Sequence, residues 1–161
     1  MQIISISMVI NGEKVTMECA SNMTLLDVLR DEFGLTGAKD ACGGEGECGA
    51  CTVIMNGKAV NSCMVFIGQA EGAVIETIEG LSKGKELHPL QKAFLETGAI
   101  QCGFCTPGVI LSAKALLDSV SDPSEEEIKE ALAGNLCRCT GYKKMIEAVQ
   151  LAAHGGDVDE Q

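Results

Sequence analysis

Apolar and polar residues alternate along the first twenty positions of the chain. In QIISISMVI, residues 2–10, every second residue from Ile4 onward is apolar, and the alternation resumes over residues 15–19 after an Asn-Gly pair at positions 11 and 12. Asn-Gly between two alternating runs is typical of a two-residue hairpin turn. A second Asn-Gly, at positions 56 and 57, predicts a hairpin joining TVIM to KAVNSC, and VIETI at 74–78 predicts a closing strand.

The segment that begins at Thr24 has the three- and four-residue apolar spacing of a helix and predicts one as far as Phe33. Thr24 followed by Asp27 three residues later is the pattern of a capping box, and Gly34 is typical of a helix end. The first half of the chain therefore predicts a small mixed sheet crossed by one helix.

Strand patterns stop after the polar, glycine-containing segment EGLSKGKE at 79–86. Beyond it, apolar residues at helical spacing predict four helices, at about 89–97, 107–119, 123–133 and 141–153. We expect Asp122 to cap the third of these, with Pro123 at its first position and Glu125 at its third. The predicted domains are 1–80, a sheet domain, and 81–154, a helical domain, followed by a flexible tail at 155–161.

Composition narrows the class of protein. The 161 residues are 46% apolar, enough to bury a core, and the formal charge of −11 excludes nucleic acid and anionic lipid surfaces as partners. No basic residue precedes Lys14 and no apolar run approaches the roughly 20 residues that span a bilayer. We therefore expect a cytoplasmic protein that does not enter a membrane. Nine cysteines in a reducing compartment point to metal ligation or redox chemistry rather than to disulfides.

Eight of the nine cysteines divide into two sets of four, and the ninth, Cys19, lies on an apolar strand face. Two zinc sites and two 2Fe-2S clusters are the competing interpretations. Structural zinc usually takes two separated pairs of ligands, often with His, whereas the first set has three cysteines in the glycine-rich loop CGGEGECGAC, at a spacing that resembles plant-type ferredoxins. Small residues there would let backbone N–H groups approach the sulfurs of a cluster, which favours 2Fe-2S. The two sets are Cys42, Cys48, Cys51 and Cys63, and Cys102, Cys105, Cys137 and Cys139.

The second half contains a short internal sequence repeat. CGFCTPG at 102–108 and CRCTGY at 137–142 each follow a glycine that ends a predicted helix, and each places a Thr directly after two close cysteines. Two helical hairpins related in this way would bring their four cysteines together. We expect helices to begin after Cys105 and Cys139, capped by Thr106 and Thr140, with both N-termini directed at one cluster.

Three ordered motifs carry a resemblance to a known family. ECGACTV at 47–53, QCGFCTPG at 101–108 and NLCRCTGY at 135–142 resemble the small iron-sulfur subunit of the molybdenum hydroxylases, the xanthine dehydrogenase family, and the similarity covers residues 2–153. The resemblance implies an α+β fold, in which an N-terminal β-grasp, plant-type ferredoxin-like domain holds one 2Fe-2S cluster and an all-α four-helix domain holds a second. It implies that each set of four cysteines ligates one cluster and that Gln101 lies against the molybdopterin.

The resemblance also implies partners. A large molybdopterin-binding subunit and a medium FAD-binding subunit would form a dimer of heterotrimers with this chain, which would relay electrons singly from the molybdenum to the FAD and carry no substrate-converting site itself. One departure stands out, since five residues separate Cys42 from Cys48 where the family has four. A bulge in the glycine-rich loop would absorb the extra residue.

Two other functions remain open from the residues. A free-standing two-cluster ferredoxin would diffuse as a monomeric carrier, and a zinc-bound interaction module would have no redox activity. Arg138, between two predicted ligands, either offsets cluster charge or is simply solvated.

Overall fold

The computed structural model describes residues 2–155 and has a mixed five-stranded sheet followed by a set of helices. The strand order is β2-β1-β5-β3-β4, with β1 parallel to β5 and the other neighbouring pairs antiparallel. Apart from Gly155, the predicted tail lies outside the described residues. The strands are β1 Ile3–Ile10, β2 Glu13–Ala20, β3 Thr52–Met55, β4 Lys58–Asn61 and β5 Val74–Glu76.

Both predicted hairpin turns are present. Asn11 and Gly12 have φ of 50° and 86°, and Asn56 and Gly57 have φ of 50° and 80°. Two consecutive residues with positive φ are the backbone of the turn that matches strand twist, and Asn and Gly tolerate it best. These turns fix the register of β1 with β2 and of β3 with β4, so that alternate residues of β1 are buried in the sheet core.

The predicted helix after Thr24 is also present, with one irregularity. Helix α1, Leu25–Asp27, continues as a π-helical turn over Val28–Glu32 that ends at Phe33. Thr24 and Asp27 form the expected capping box, since the Thr24 N–H donates to Asp27 Oδ2 at 2.8 Å and the Asp27 N–H donates to Thr24 Oγ1 at 3.1 Å. The buried face of this segment packs on the sheet core.

Two predicted strands are shorter in the structure. Strand β4 ends at Asn61, and Ser62–Met64 form a 3₁₀ turn that carries Cys63. Strand β5 ends at Glu76 because the next residue, Thr77, is held by the Asn11 side chain, whose Oδ1 accepts the Thr77 N–H at 2.8 Å. Side-chain capping of a strand end competes with further pairing, and hydrophobic alternation alone does not reveal it.

The helices of the described second half are α2 Pro89–Glu96, α3 Thr106–Ser119, α4 Glu125–Leu132 and α5 Lys143–Ala153. The predicted cap of α4 was wrong. Ser124, not Asp122, caps the helix, because Ser124 and Glu127 form a reciprocal capping box in which the Ser124 N–H donates to Glu127 Oε2 at 2.8 Å.

The two threonine caps predicted beside the cysteines were also wrong. Thr106 is the first residue of α3, and Cys105 occupies its N-cap. Helix α5 begins only at Lys143, with Tyr142 at its N-cap in the left-handed region, φ 68°. The Thr140 hydroxyl contacts the sulfur of Cys137 instead, so among the helices of residues 2–155 only α3 begins directly at a cysteine.

The helices rest on the sheet. Leu90, Phe94, Ile128 and Met145 are fully buried in the core between α2, α3, α4 and α5, and Ile54 of β3 is fully buried in the same core. The other core lies on the opposite side of the sheet, under α1. The two cysteine sets therefore belong to units that share a packed boundary. None of the helices among residues 2–155 has the length and apolarity needed to cross a membrane.

Candidate iron-sulfur centres

The first cysteine set is gathered by the loop 42–51 and the turn that carries Cys63. Gly43, Gly44, Gly46 and Gly49 all have positive φ, between 67° and 81°, a conformation that residues with a Cβ rarely adopt. The nearby Glu47 N–H, followed by the Cys48 thiol and the Cys48 N–H, lowers the pKa of Cys42 to about 7. These surroundings favour the thiolate of Cys42 over its thiol.

The other two cysteines of this set, Cys51 and Cys63, are shielded from solvent. The sulfurs of Cys51 and Cys63 are 3.3 Å apart, and both residues are buried. Burial, followed by the neighbouring Cys51 thiol, raises the pKa of Cys63 to about 12 in the absence of a metal. Cys51 and Cys63 are therefore the close sulfur pair of this set.

The start of the loop is held in a bend by Asp40. Asp40 Oδ1 accepts the N–H groups of Gly43 and Gly44, at 2.8 Å and 3.1 Å. With φ of 78° and 81°, these two glycines make a bend that residues with a Cβ rarely adopt. The bend directly follows Cys42, within the five-residue spacing that departs from the family pattern.

The second set is gathered from the loop before α3 and the loop between α4 and α5. The sulfurs of Cys102 and Cys139 are 3.5 Å apart and both residues are exposed. Cys105 and Cys137 are half-buried. Burial and then the Cys137 thiol raise the pKa of Cys105 to about 12, whereas the Phe104 N–H and then the Cys139 thiol lower the pKa of Cys102.

Cys137 has the most polar surroundings of the second set. The Thr140 hydroxyl oxygen lies 3.1 Å from its sulfur, and the Thr140 N–H donates to the same sulfur at 3.4 Å. Burial raises the pKa of Cys137, but the bonds from the Thr140 hydroxyl, the Thr140 N–H and the Cys139 N–H outweigh it, so the pKa is lowered overall. The Cys137 N–H donates to the Tyr142 hydroxyl at 2.8 Å, which fixes the loop to the start of α5.

The pairing of the thiols fits a binuclear cluster. A 2Fe-2S cluster takes two cysteine ligands on each of its two irons, whereas one structural zinc ion takes four ligands around a single point. Two close sulfur pairs are present in the structure, Cys51 with Cys63 at 3.3 Å and Cys102 with Cys139 at 3.5 Å, one pair in each set. The positive-φ glycines of the first loop also suit a group that presents sulfides as well as thiolates, because glycine lets the backbone approach a ligand closely.

Sequence reasoning missed the link between the two sets. The Leu136 N–H, directly before Cys137, donates to the carbonyl oxygen of Cys48 at 2.9 Å. Beside it, the buried Asn135 side chain donates to Gly49 O at 3.0 Å and accepts the Ser112 hydroxyl at 2.7 Å. The only local signal was the unexplained Asn in NLCRC, because these partners lie far apart in sequence.

The junction is closely packed. A Cβ at Gly49 would overlap the carbonyl oxygen of Gly134 and approach the Asn135 amide nitrogen to 2.6 Å, and a Cβ at Gly108 would overlap the carbonyl oxygen of Gly49. Glycine at these two positions is what allows the two cysteine loops to touch through their backbones.

The family models agree with the chemistry of the two sets. Residues 8–77 match a 2Fe-2S iron-sulfur cluster binding domain, and residues 77–150 match a second 2Fe-2S binding domain. The nicotinate dehydrogenase small FeS subunit of Eubacterium barkeri is 53% identical over 149 residues, which span 92% of this chain and 94% of that subunit.

The chain belongs to the small iron-sulfur subunits of the molybdenum hydroxylases.

Solved structures show how members of this family occur. A chain of quinoline 2-oxidoreductase from Pseudomonas putida 86 superposes with a TM-score of 0.89 at 42% identity, covering 98% of this chain and 100% of that one. Aldehyde oxidoreductase from Desulfovibrio gigas superposes with a TM-score of 0.90 at 46% identity, covering 94% of this chain but 17% of the longer polypeptide. In this family the same unit is therefore found both as a separate chain and as part of a larger one. The relatives belong to oxidoreductases, which supports an electron-transfer role.

Proposed function

We propose that this chain is the electron-transfer subunit of a molybdopterin-dependent hydroxylase. It relays electrons one at a time from a molybdenum centre on a large partner subunit, through two 2Fe-2S clusters, to FAD on a medium partner subunit. Cys42, Cys48, Cys51 and Cys63 hold one cluster, and Cys102, Cys105, Cys137 and Cys139 hold the other. When bound, each cluster supplies one-electron redox chemistry.

The observation that carries this proposal is the hydrogen bond between Leu136 and Cys48. Leu136 directly precedes the proposed ligand Cys137, and its N–H donates to the carbonyl oxygen of the proposed ligand Cys48 at 2.9 Å. A short path of covalent bonds and this one hydrogen bond therefore connects the two cysteine sets. Two redox groups held this way exchange electrons inside one chain. A pair of unrelated structural sites would not require such a direct connection.

The outer face of the second set suits a partner subunit. Cys102 and Cys139 are exposed, and the apolar side chains of Phe104 and Leu136 beside them are 44% and 59% exposed. Exposed apolar groups around a redox site are typical of a surface that another chain covers. We assign this face to the molybdenum subunit, with the exposed Gln101 against the pterin.

The start of α3 adds a positive partial charge to the second set. Its N-cap is Cys105 itself, so the positive end of the α3 helix dipole lies at a cysteine of this set. A reduced cluster carries more negative charge than an oxidised one, and this helix end therefore favours reduction at the second set. This arrangement suits the site that accepts electrons first.

The first set has its own exposed apolar neighbours. Met64 and Phe66, which follow Cys63, are each 58% exposed and lie on a shallow groove with Gly44. We assign this surface to the FAD subunit. The full proposal has residues 1–80 as a β-grasp, plant-type ferredoxin-like domain and 81–154 as a four-helix domain, in a dimer of heterotrimers. A cytoplasmic location stays a prediction, drawn from nine free thiols.

One preparation tests this function against its alternatives. We expect the native protein, purified anaerobically, to contain four iron and four acid-labile sulfide per chain and to elute from size exclusion with stoichiometric molybdenum and flavin. Full iron in a monomer without molybdenum would establish the free-standing ferredoxin instead. Zinc without sulfide or visible absorbance would establish the interaction module.

A further inference from the structure

The two copies of the internal sequence repeat differ in the hydrogen bonds of their threonines, Thr106 and Thr140. Thr140 Oγ1 lies 3.1 Å from the Cys137 sulfur. Among the described residues no hydrogen bond joins the Thr106 hydroxyl to a cysteine sulfur, and the Thr106 N–H donates to Gly103 O at 3.3 Å instead. Similar sequence positions therefore place a hydroxyl on a sulfur in one loop and not in the other.

The direction of the Thr140 bond follows from its other partners. The Tyr142 N–H donates to Thr140 Oγ1 at 3.3 Å, which occupies an acceptor site of the hydroxyl and leaves its proton free to donate. A metal-bound Cys137 has no proton, so in that state its sulfur is the acceptor. The alternative acceptor is the Met145 sulfur at 3.7 Å, a neutral thioether that is farther away and weaker than a thiolate.

Tyr142 holds this geometry from both ends. Its backbone, in the left-handed region with φ 68°, supplies the N–H to Thr140, and its hydroxyl accepts the Cys137 N–H at 2.8 Å. The loop between the two cysteines and α5 is thereby closed on itself, with the threonine proton directed at sulfur. Such closure costs backbone strain that a simple surface loop would not need.

We propose that Thr140 is a positioning residue that sets the reduction potential of the second cluster, by donating its hydroxyl proton to the Cys137 sulfur. A hydrogen bond to a ligand sulfur stabilises the more negative, reduced state more than the oxidised state, so it raises the potential. This inference rests on the proposed ligation by Cys137. It assigns to Thr140 a role that Thr106 does not share.

The test is a redox titration of the native complex, followed by EPR, for wild type and three variants. Thr140→Val keeps the shape but loses the hydroxyl, Thr140→Ser keeps the hydroxyl, and Thr106→Val is the matched control. We expect Thr140→Val to lower the reduced-to-oxidised ratio of the second cluster about tenfold at a fixed potential, which is about 59 mV for a one-electron couple. Thr140→Ser and Thr106→Val should stay close to wild type, and the first cluster should not move in any variant.

A second readout separates a lost proton from a disturbed fold. Proton ENDOR of the reduced second cluster in H₂O and D₂O should show one exchangeable coupling fewer in Thr140→Val and the wild-type set in Thr140→Ser. An unchanged potential in Thr140→Val with full iron content would overturn the inference and leave the proposed function intact, as would equal shifts in both valine variants. If Thr140→Val does not retain the cluster, the potentials of Thr140→Ala and Thr140→Ser are compared instead. Absence of a second cluster in wild type would overturn both proposals.

Discussion

The buried amide of Asn135 gives the most quantitative prediction for the junction between the two cysteine sets. Its side chain is 3% exposed, and it bonds Gly49 O, Thr52 Oγ1 and the Ser112 hydroxyl at 3.0, 3.3 and 2.7 Å. We consider Asn135→Leu, which keeps the branched shape and removes every polar atom of the side chain.

The cost follows from which groups lose their partners. Gly49 O still accepts the Thr52 N–H at 3.1 Å and the Thr52 hydroxyl at 2.7 Å, so it stays satisfied. The Ser112 hydroxyl, 7% exposed, loses its acceptor. One buried unsatisfied group costs about 1–3 kcal/mol, so we expect Asn135→Leu to lose roughly 2 kcal/mol of stability. For a chain of this size that lowers the unfolding midpoint by about 4–8 °C.

A double-mutant cycle separates this bond from general disturbance. Ser112→Ala alone leaves the Asn135 oxygen without its donor and should also destabilise, whereas the double variant has no orphaned group and should cost no more than Asn135→Leu alone. The assay is anaerobic thermal unfolding of the holo-protein, followed by far-UV dichroism and cluster absorbance. Additive losses in the double variant, or an Asn135→Leu midpoint equal to wild type, would refute the reasoning.

Three further predictions concern the loops. Gly49→Ala should prevent stable assembly of both clusters, because its Cβ would overlap the neighbouring loop. Gly57→Ala, in open space at φ 80°, is the control and should lose only local turn stability. The measurement is the iron content of the two purified variants. Thiol titration of the native holo-protein should find no rapidly reacting thiol. Cys19, the cysteine outside the two sets, is 6% exposed, and burial and Glu32 raise its pKa. A rapidly reacting thiol mapped to Cys42 would show that Cys42 is not a ligand. Deletion of Gly44 should restore four-residue spacing and keep both clusters, and loss of half the iron would contradict this.

Local chemistry explains which elements were predictable. The two Asn-Gly turns and the Thr24–Asp27 box each depend on a few consecutive residues, and the structure has them where the sequence predicts them. The start of α4 was missed by two residues because Asp122-Pro123 and Ser124 both offer plausible caps, and only the reciprocal bond with Glu127 decides between them.

Long-range contacts explain what was not predictable. The spacing of the cysteines predicted their grouping into two sets, and the family models confirm two 2Fe-2S binding domains. The ligand assignments themselves remain proposals. The bond from Asn135 to Gly49 joins residues 86 positions apart, and neither residue has a pattern that identifies the other. Thr140 was expected to cap a helix because it follows two cysteines, yet the sulfur of Cys137 competes successfully for its hydroxyl.

The central claim is that electrons pass between the two cysteine sets inside this chain. It can be tested without knowing the substrate, by photoreducing the FAD of the purified complex and following both clusters by rapid-freeze EPR. Assembly of each variant is checked first by size exclusion. In Cys105→Ala, which removes a ligand of the second set, we expect the first cluster to be reduced at the normal rate. In Cys51→Ala, which removes a ligand of the first set, the second cluster should stay oxidised over the same interval. Reduction of the second cluster at the wild-type rate in Cys51→Ala would contradict the proposed relay.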